Sequence, residues 1–119
     1  MESPYERGAV LLVPFPFTDL SGSKRRPALV VSPTGFHGED LILCAITSQV
    51  PERLSEQEIL LEAGDMAEEQ LPKSSMIKSG KLFTMHHSLI ASRYGSVKQY
   101  KLLEVLQTLR EIFADPNGV

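Results

Sequence analysis

Two short runs in this chain carry side chains suited to gripping a phosphate group. Lys24-Arg25-Arg26 is the densest cationic cluster in the sequence. Arginine suits phosphate because its planar fork donates two parallel hydrogen bonds to two oxygens. Arg26 directly precedes Pro27, which biases its backbone toward an extended conformation. A side chain at the rigid edge of a sheet is well placed to act on a bound substrate. The plainer reading of the same residues is three solvated cations beside a loop. The second run is Ile46-Thr47-Ser48-Gln49, where an apolar stretch gives out before Pro51. Its hydroxyl and amide groups can bond a phosphate oxygen or a base edge, although they also read as an ordinary polar strand terminus.

Other residues could take part. Histidine is the usual acid/base near neutral pH, and the chain holds His37 and the pair His86-His87. Neighbouring residues of a strand point to opposite faces, so His86 and His87 are not expected to converge on one group. Lys78 and Lys81 could line a groove that follows a polyanion, as exposed lysines commonly could. Phe15 and Phe17 flank Pro16, and either could stack on a base or fill core.

The elements that must position these residues follow from the hydrophobic pattern. Ala9 to Val13 is an apolar, β-branched run that predicts a first strand, closed by Pro14 and Pro16. Phe15 to Arg26 then reads as a long loop, with turn formers at Asp19, Ser21, Gly22 and Ser23. Ala28 to Ser32 and Leu41 to Thr47 predict two more strands, apolar enough for burial on both faces. Glu58 to Leu61 is a short fourth strand, and the acidic stretch Ala63 to Gln70 fits a loop or a short helix equally. Ser75 to Met85 supplies one or two strands with an interruption at Ser79-Gly80. Leu102, Val105, Leu106, Leu109, Ile112 and Phe113 recur at the helical period and make one apolar stripe. Ser96 and Gln99 form a capping-box pattern ahead of that helix, and Asp115-Pro116 stops it. The expected architecture is mainly β with α: a small, strongly bent antiparallel sheet or partial barrel covered by a C-terminal amphipathic helix.

Bulk properties narrow the function classes. A chain of 119 residues fits one domain, residues 1–119. Its single cysteine, Cys44, lies in an apolar run, so it reads as a small buried hydrophobe and can form no intrachain disulfide. No stretch approaches a membrane-spanning length, and Met1 to Glu6 lacks the basic start and apolar core of a secretory signal, so a cytoplasmic location is expected. The net charge of −3 argues weakly against nucleic acid. The charge is segregated, however. Residues 39–70 hold nine acids against one base, and the remaining chain holds six acids against eleven bases, so a basic surface can coexist with an acidic total.

Three blocks taken together resemble a known family. Arg7-Gly8-Ala9-Val10-Leu11-Leu12-Val13-Pro14-Phe15, then Arg26-Pro27-Ala28-Leu29-Val30-Val31-Ser32-Pro33, then Ile46-Thr47-Ser48-Gln49 are similar in order and spacing to the MazF/PemK toxins of type II toxin–antitoxin systems. The C-terminal half resembles them only in layout, with a strand region, a Tyr94-Gly95 step and a final helix. The resemblance implies an SH3-like barrel of the CcdB/MazF kind and a homodimer. It also implies metal-independent, sequence-specific cleavage of single-stranded RNA, held in check by an antitoxin whose N-terminus binds DNA. It puts the catalytic arginine at Arg26, the catalytic threonine at Thr47 and the RNA-gripping loop at Phe17 to Arg25. RNA-binding residues on that basis are Phe17, Thr18, Ser21, Lys24, Arg25, Ser48, Gln49 and Lys78. The chain departs from the family at Ala9, where an acid is usual, and at Ser21 to Ser23, where many members carry a glutamate; that leaves the general base open.

The implied chemistry needs no cofactor. The RNA 2′-OH attacks the adjacent phosphate, leaving a 2′,3′-cyclic phosphate and a 5′-OH. Arg26 would stabilise the phosphorane charge, and Thr47 would donate to a non-bridging oxygen. DNA lacks the attacking group and should survive. Two-metal nucleases need clustered carboxylates; the basic loop offers only Asp19, and the acids of residues 39–70 show no ligand spacing, so no metal is expected. Two readings of other classes remain: a protein-binding growth inhibitor like the gyrase poison CcdB, and an inactive SH3-like interaction module. The first acts in its family through a tryptophan-bearing C-terminal tail, and this chain has no tryptophan.

Overall fold

The apolar runs pair as strands, and one amphipathic helix closes over one face of the sheet they make. The structure, a computed structural model, describes residues 5–14, 25–33, 38–69 and 71–115. Its strands are β1 (Ala9–Pro14), β2 (Arg25–Val30), β3 (Asp40–Thr47), β4 (Glu58–Leu61), β5 (Met66–Glu68), β6 (Ser75–His86) and β7 (Ser92–Val97), followed by helix α1 (Gln99–Phe113). Short 3-10 turns stand at Ala63–Asp65 and His87–Leu89. All seven strands join one antiparallel sheet in the order β4-β6-β3-β2-β1-β7-β5. The expected mainly-β architecture with a C-terminal helix is the one found. No helix among the described residues is long and apolar enough to cross a membrane.

The central strands are buried on both faces, which is why they are continuously apolar rather than alternating. One cluster takes Leu29 from β2, Cys44 and Ile46 from β3, and Ile59, Leu61 and Ile77, and α1 packs on it through Leu102, Val105, Leu106 and Leu109. The other takes Ala28 and Val30 from β2, Leu41, Leu43 and Ala45 from β3, and Val13, Phe83 and Met85. Cys44 is fully buried, and burial pushes its thiol up to about 12, so it packs as a hydrophobe.

Four local expectations change. β2 begins at Arg25, so Arg25 and Arg26 belong to the strand rather than to the loop before it. Part of the acidic stretch forms β5, an edge strand that turns only Met66 inward, and so carries no apolar pattern. Ser96 does not cap the helix: it lies in β7, Lys98 takes the N-cap position without a side-chain bond, and α1 starts at Gln99. Phe113 stays on the same face as Leu106 and Leu109 but is left uncovered, 71% exposed. The interruption at Ser79-Gly80 is present as a break in register, with Ala45 opposite Lys78 but Cys44 opposite Leu82. The intervening residues bulge out of the ladder, and Ser79 N–H donates instead to Gln57 O at 2.9 Å.

Polar clamps fasten the edge strands. Arg93 on β7 donates to Glu6 Oε1 (2.8 Å) and to Glu68 Oε2 on β5 (2.9 Å), and these bonds hold the Glu68 carboxyl below its ordinary range. Lys101, largely buried in α1, donates to Leu60 O at 3.0 Å and to Glu104 Oε1 at 3.0 Å. Gly95 is required where β5 crosses β7, because a Cβ there would stand 2.5 Å from Glu68 O. Backbone on backbone cannot yield cheaply, so Gly95→Ala should separate β5 from β7 and destabilise the fold by about 1–3 kcal/mol, in line with other overpacked sites. Urea unfolding of the variant checks this, and an unchanged midpoint would contradict it.

Candidate active site

Where β2 begins and β3 ends, the sheet opens into a pocket. It is lined by Arg25, Arg26 and Pro27, by Ile46 to Gln49, and by Leu71, Pro72, Lys73 and Ser75, and holds about 400 Å³. The register explains why Arg26 and Thr47 meet there. β2 and β3 pair with Ala28 opposite Ala45 and Val30 opposite Leu43. The paired ladder stops at Ala28 and Ala45; continued by two residues, its register would put Arg26 and Thr47 on the same face of the sheet, and both line the pocket. Pro27 between them lacks the N–H that would extend the ladder, so the strands are free to part at the pocket. On its other side Arg26 faces Val13 of β1, which is fully buried. The arginine stem therefore lies against apolar side chains while its head reaches the pocket.

The polar groups of the pocket are left ready for a ligand. Arg26 makes no ion pair among the described residues, and its Nε is buried without an acceptor. A buried donor left unpaired costs about 1–3 kcal/mol, which an anion in the pocket would offset. Thr47 Oγ1 accepts the Gln49 N–H at 3.1 Å. That bond turns the strand end and orients the hydroxyl, whose own proton has no acceptor among the described residues. Ser48 and Gln49 are exposed beside it, and Arg25 is exposed at the strand's first position.

Lys73 is a further cation in the pocket, brought there by the segment between β5 and β6. Leu71 anchors that segment on the core, and Ser75 Oγ donates to Lys73 O at 3.2 Å. No local signal marks Lys73 in the sequence; only the strand order sets its loop against the start of β2. The described lining thus offers three cations, several hydrogen-bond donors, and no carboxylate or imidazole. It can bind an anion and stabilise added negative charge, and it has no ligand set for a metal.

The remaining predicted residues lie elsewhere. Lys78 faces a separate depression with Ser55, Glu58, Gly80 and Lys81. Phe17, Thr18, Ser21 and Lys24 fall outside the described residues, as do Phe15 and His37. The expectation that His86 and His87 diverge is corrected: β6 ends at His86, a 3-10 turn starts at His87, and the change of backbone stacks the two rings at 4.9 Å. His86 pairs with Asp40, at the opposite end of β3 from Thr47. Seven residues of strand separate the two ends, about 20 Å along the chain, so neither imidazole belongs to the pocket.

With the pocket defined, comparison with known proteins adds family and fold. The model of a family described as PemK-like, MazF-like toxin of type II toxin-antitoxin system matches residues 6–113. No curated protein sequence matches significantly. Among solved structures, an endoribonuclease in complex with its cognate antitoxin from Mycobacterial species superposes with a TM-score of 0.70 at 18% identity, over 94% of this chain and 99% of that one. The Mycobacterium tuberculosis toxin MazF-mt6 gives 0.69 at 15% identity, over 88% and 95%. A MazE-MazF structure from Deinococcus radiodurans gives 0.70 at 23% identity, over 91% and 94%. At these identities the likeness establishes the fold.

A guanidinium with no partner among the described residues contributes little to folding. Arg26→Leu is therefore expected to leave the melting temperature unchanged or a few degrees higher, since sites kept for function commonly cost stability. A fall of more than about 5 °C, roughly 1 kcal/mol for a domain of this size, would show that Arg26 holds the fold together.

Proposed function

The chain belongs to the PemK-like, MazF-like toxins of type II toxin–antitoxin systems, and from that premise we propose that it is an endoribonuclease that cuts single-stranded RNA in the Arg26–Thr47 pocket without a metal. The observation that carries this reading is that Arg26, with no partner among the described residues, and Thr47 line one pocket just beyond the last β2–β3 pair, in a cleft whose described lining is rich in cations. Endoribonucleases from Mycobacterial species share the fold, which supports the same activity.

In this mechanism Arg25 and Lys73 draw in the RNA backbone, and Arg26 and Thr47 grip the scissile phosphate. The 2′-OH gives its proton to solvent water as it attacks the phosphorus, and the 5′-oxygen leaves and takes a proton from solvent water. The bond formed is the 2′-O–P bond of a cyclic phosphate, and the bond broken is P–O5′. Arg26 neutralises the charge gained by the non-bridging oxygens, while Thr47 donates to one of them. Arginine side chains hold their protons firmly, so Arg26 acts electrostatically rather than as the proton donor. A lining whose described residues include no carboxylate or imidazole leans on charge stabilisation and alignment more than on general-base strength. Ser48 and Gln49, exposed at the mouth, are placed to bond base edges and contribute to sequence preference. Lys78 faces away from the pocket, so any contact it makes with RNA lies outside the cleavage step.

The partner of the toxin in the cell is a cognate antitoxin, as for the complexed relatives. An acidic antitoxin segment laid over Arg25, Arg26 and Lys73 would shut the pocket by charge complementarity. The working unit is a homodimer in the cytoplasm, and residues 1–119 act as one domain.

Purified protein incubated with single-stranded RNA and EDTA tests the activity. Cleavage to 2′,3′-cyclic phosphate and 5′-OH ends is expected, with DNA left intact. Arg26→Ala and Thr47→Ala should each slow the cut by roughly 10²–10³-fold, the usual loss for one transition-state donor. No cleavage by wild-type protein across RNAs of varied sequence would favour a protein-binding toxin. Equal cleavage by the Arg26 variant would move the site elsewhere.

A further inference from the structure

At the far end of β3 from the pocket, Glu39, His86 and His87 bring a carboxylate and two imidazoles together, with one potential ligand atom from each lying within 4.8 Å of the others. We propose that these three residues form a structural binding site for a divalent ion of the zinc class. Two imidazoles and one carboxylate are a ligand set that Zn²⁺ favours, with water completing the tetrahedron. Bond lengths of about 2.0–2.2 Å set tetrahedral ligand atoms roughly 3.3–3.5 Å apart. Glu39 approaches His86 Nε2 at 3.3 Å through Oε2 and His87 Nε2 at 3.8 Å through Oε1, so drawing the ligand atoms, now within 4.8 Å of one another, to a tetrahedral spacing takes a turn of the carboxylate and a small shift of the rings. The Glu39 side chain is 53% exposed, so it is free to adjust, and an ion has access from solvent.

Three further observations favour an ion over a simple carboxylate–histidine contact. First, the ligands are preorganised by backbone: His87 N–H donates to Glu39 O at 2.9 Å, so the residue that supplies the carboxylate is tied to the turn that supplies a ring. Second, His87 Nε2 is buried with no hydrogen-bond partner among the described residues. At 3.8 Å the Glu39 carboxylate is too distant to bond it, whereas a metal between them would satisfy both. Third, His86 has an outer partner of the kind that ligating histidines use. Ser88 Oγ lies 2.8 Å from His86 Nδ1. With the ring proton on Nδ1 donated to that oxygen, Nε2 is free as a ligand. The Ser88 N–H contact to Nδ1, at 3.1 Å, is given up in that tautomer.

The place of the site in the fold assigns its role. His86 ends β6, Glu39 directly precedes β3, and the cluster lies about 20 Å along β3 from Thr47. An ion there cannot reach the phosphate in the pocket. It would instead pin the β3–β6 corner, adding to stability in proportion to its occupancy. The proposal does not depend on the nuclease reading.

Untagged full-length protein, stripped with chelator and titrated with Co²⁺ and then Zn²⁺, tests it. One Co²⁺ per chain with a tetrahedral visible spectrum is expected, displaced by Zn²⁺, together with a higher melting temperature in Zn²⁺. Glu39→Gln, at an exposed position that the fold does not need, and His87→Gln should each weaken Zn²⁺ binding by at least about tenfold. RNA cleavage by the wild type should be the same with and without the ion. Absence of a tetrahedral Co²⁺ spectrum would overturn the proposal. So would binding that persists unchanged in Glu39→Gln, whose native spectrum and melting curve show whether it is folded.

Discussion

The antiparallel register between β2 and β3 is the constraint on which the rest depends. Ala28 opposite Ala45 and Leu29 opposite Cys44 fix which residues meet at the strand ends. A slip by one residue would send Arg26 and Thr47 to opposite faces and exchange the two core clusters. That register is held firmly because both faces are buried: Leu29 and Cys44 pack under α1, while Ala28 and Ala45 pack on the other side. The hydrophobic core thus sets the spacing of two polar groups that take no part in it.

Around that frame the chain keeps its pocket unsatisfied. Two other cations near the sheet are matched: Arg93 by Glu6 and Glu68, Lys101 by Glu104 and the Leu60 carbonyl. Arg26 has no such partner among the described residues, although nine acids lie within residues 39–70. With no carboxylate among the described lining residues, the positive potential there is left uncancelled, as an anion site requires. The same segregation explains how an acidic protein can offer a cationic cleft.

The sequence reveals the central strands and the helix well, because burial writes a clear apolar pattern. Leu41 to Thr47 and the stripe from Leu102 to Leu109 are of this kind. β5 and β7, which lie beyond β1 in the sheet, are hidden, whereas β4 at the opposite edge is legible. β5 turns one methionine inward, and β7 is held by Arg93 and by a glycine that admits the neighbouring backbone. Ser96 imitates a helix cap because its true partner, Glu68, is 28 residues away. Arg26 and Thr47 could be singled out by proline, by strand ends and by family resemblance. Lys73 could not, since its role comes from strand order alone. The convergence of His86 and His87 was hidden because it depends on β6 ending between them, and a single residue's shift in that boundary decides whether two rings diverge or stack.

The central claim is that Arg26 and Thr47 act as one unit on one phosphate. A double-mutant cycle on the cleavage rate of a short RNA measures this directly, with Arg26→Ala, Thr47→Ala and the combined variant compared under single-turnover conditions. Groups that serve one transition state together are strongly non-additive. The combined variant should therefore cleave little more slowly than the slower of the two single variants. If the two losses multiply in full, the residues act independently, and the shared site across β2 and β3 is wrong.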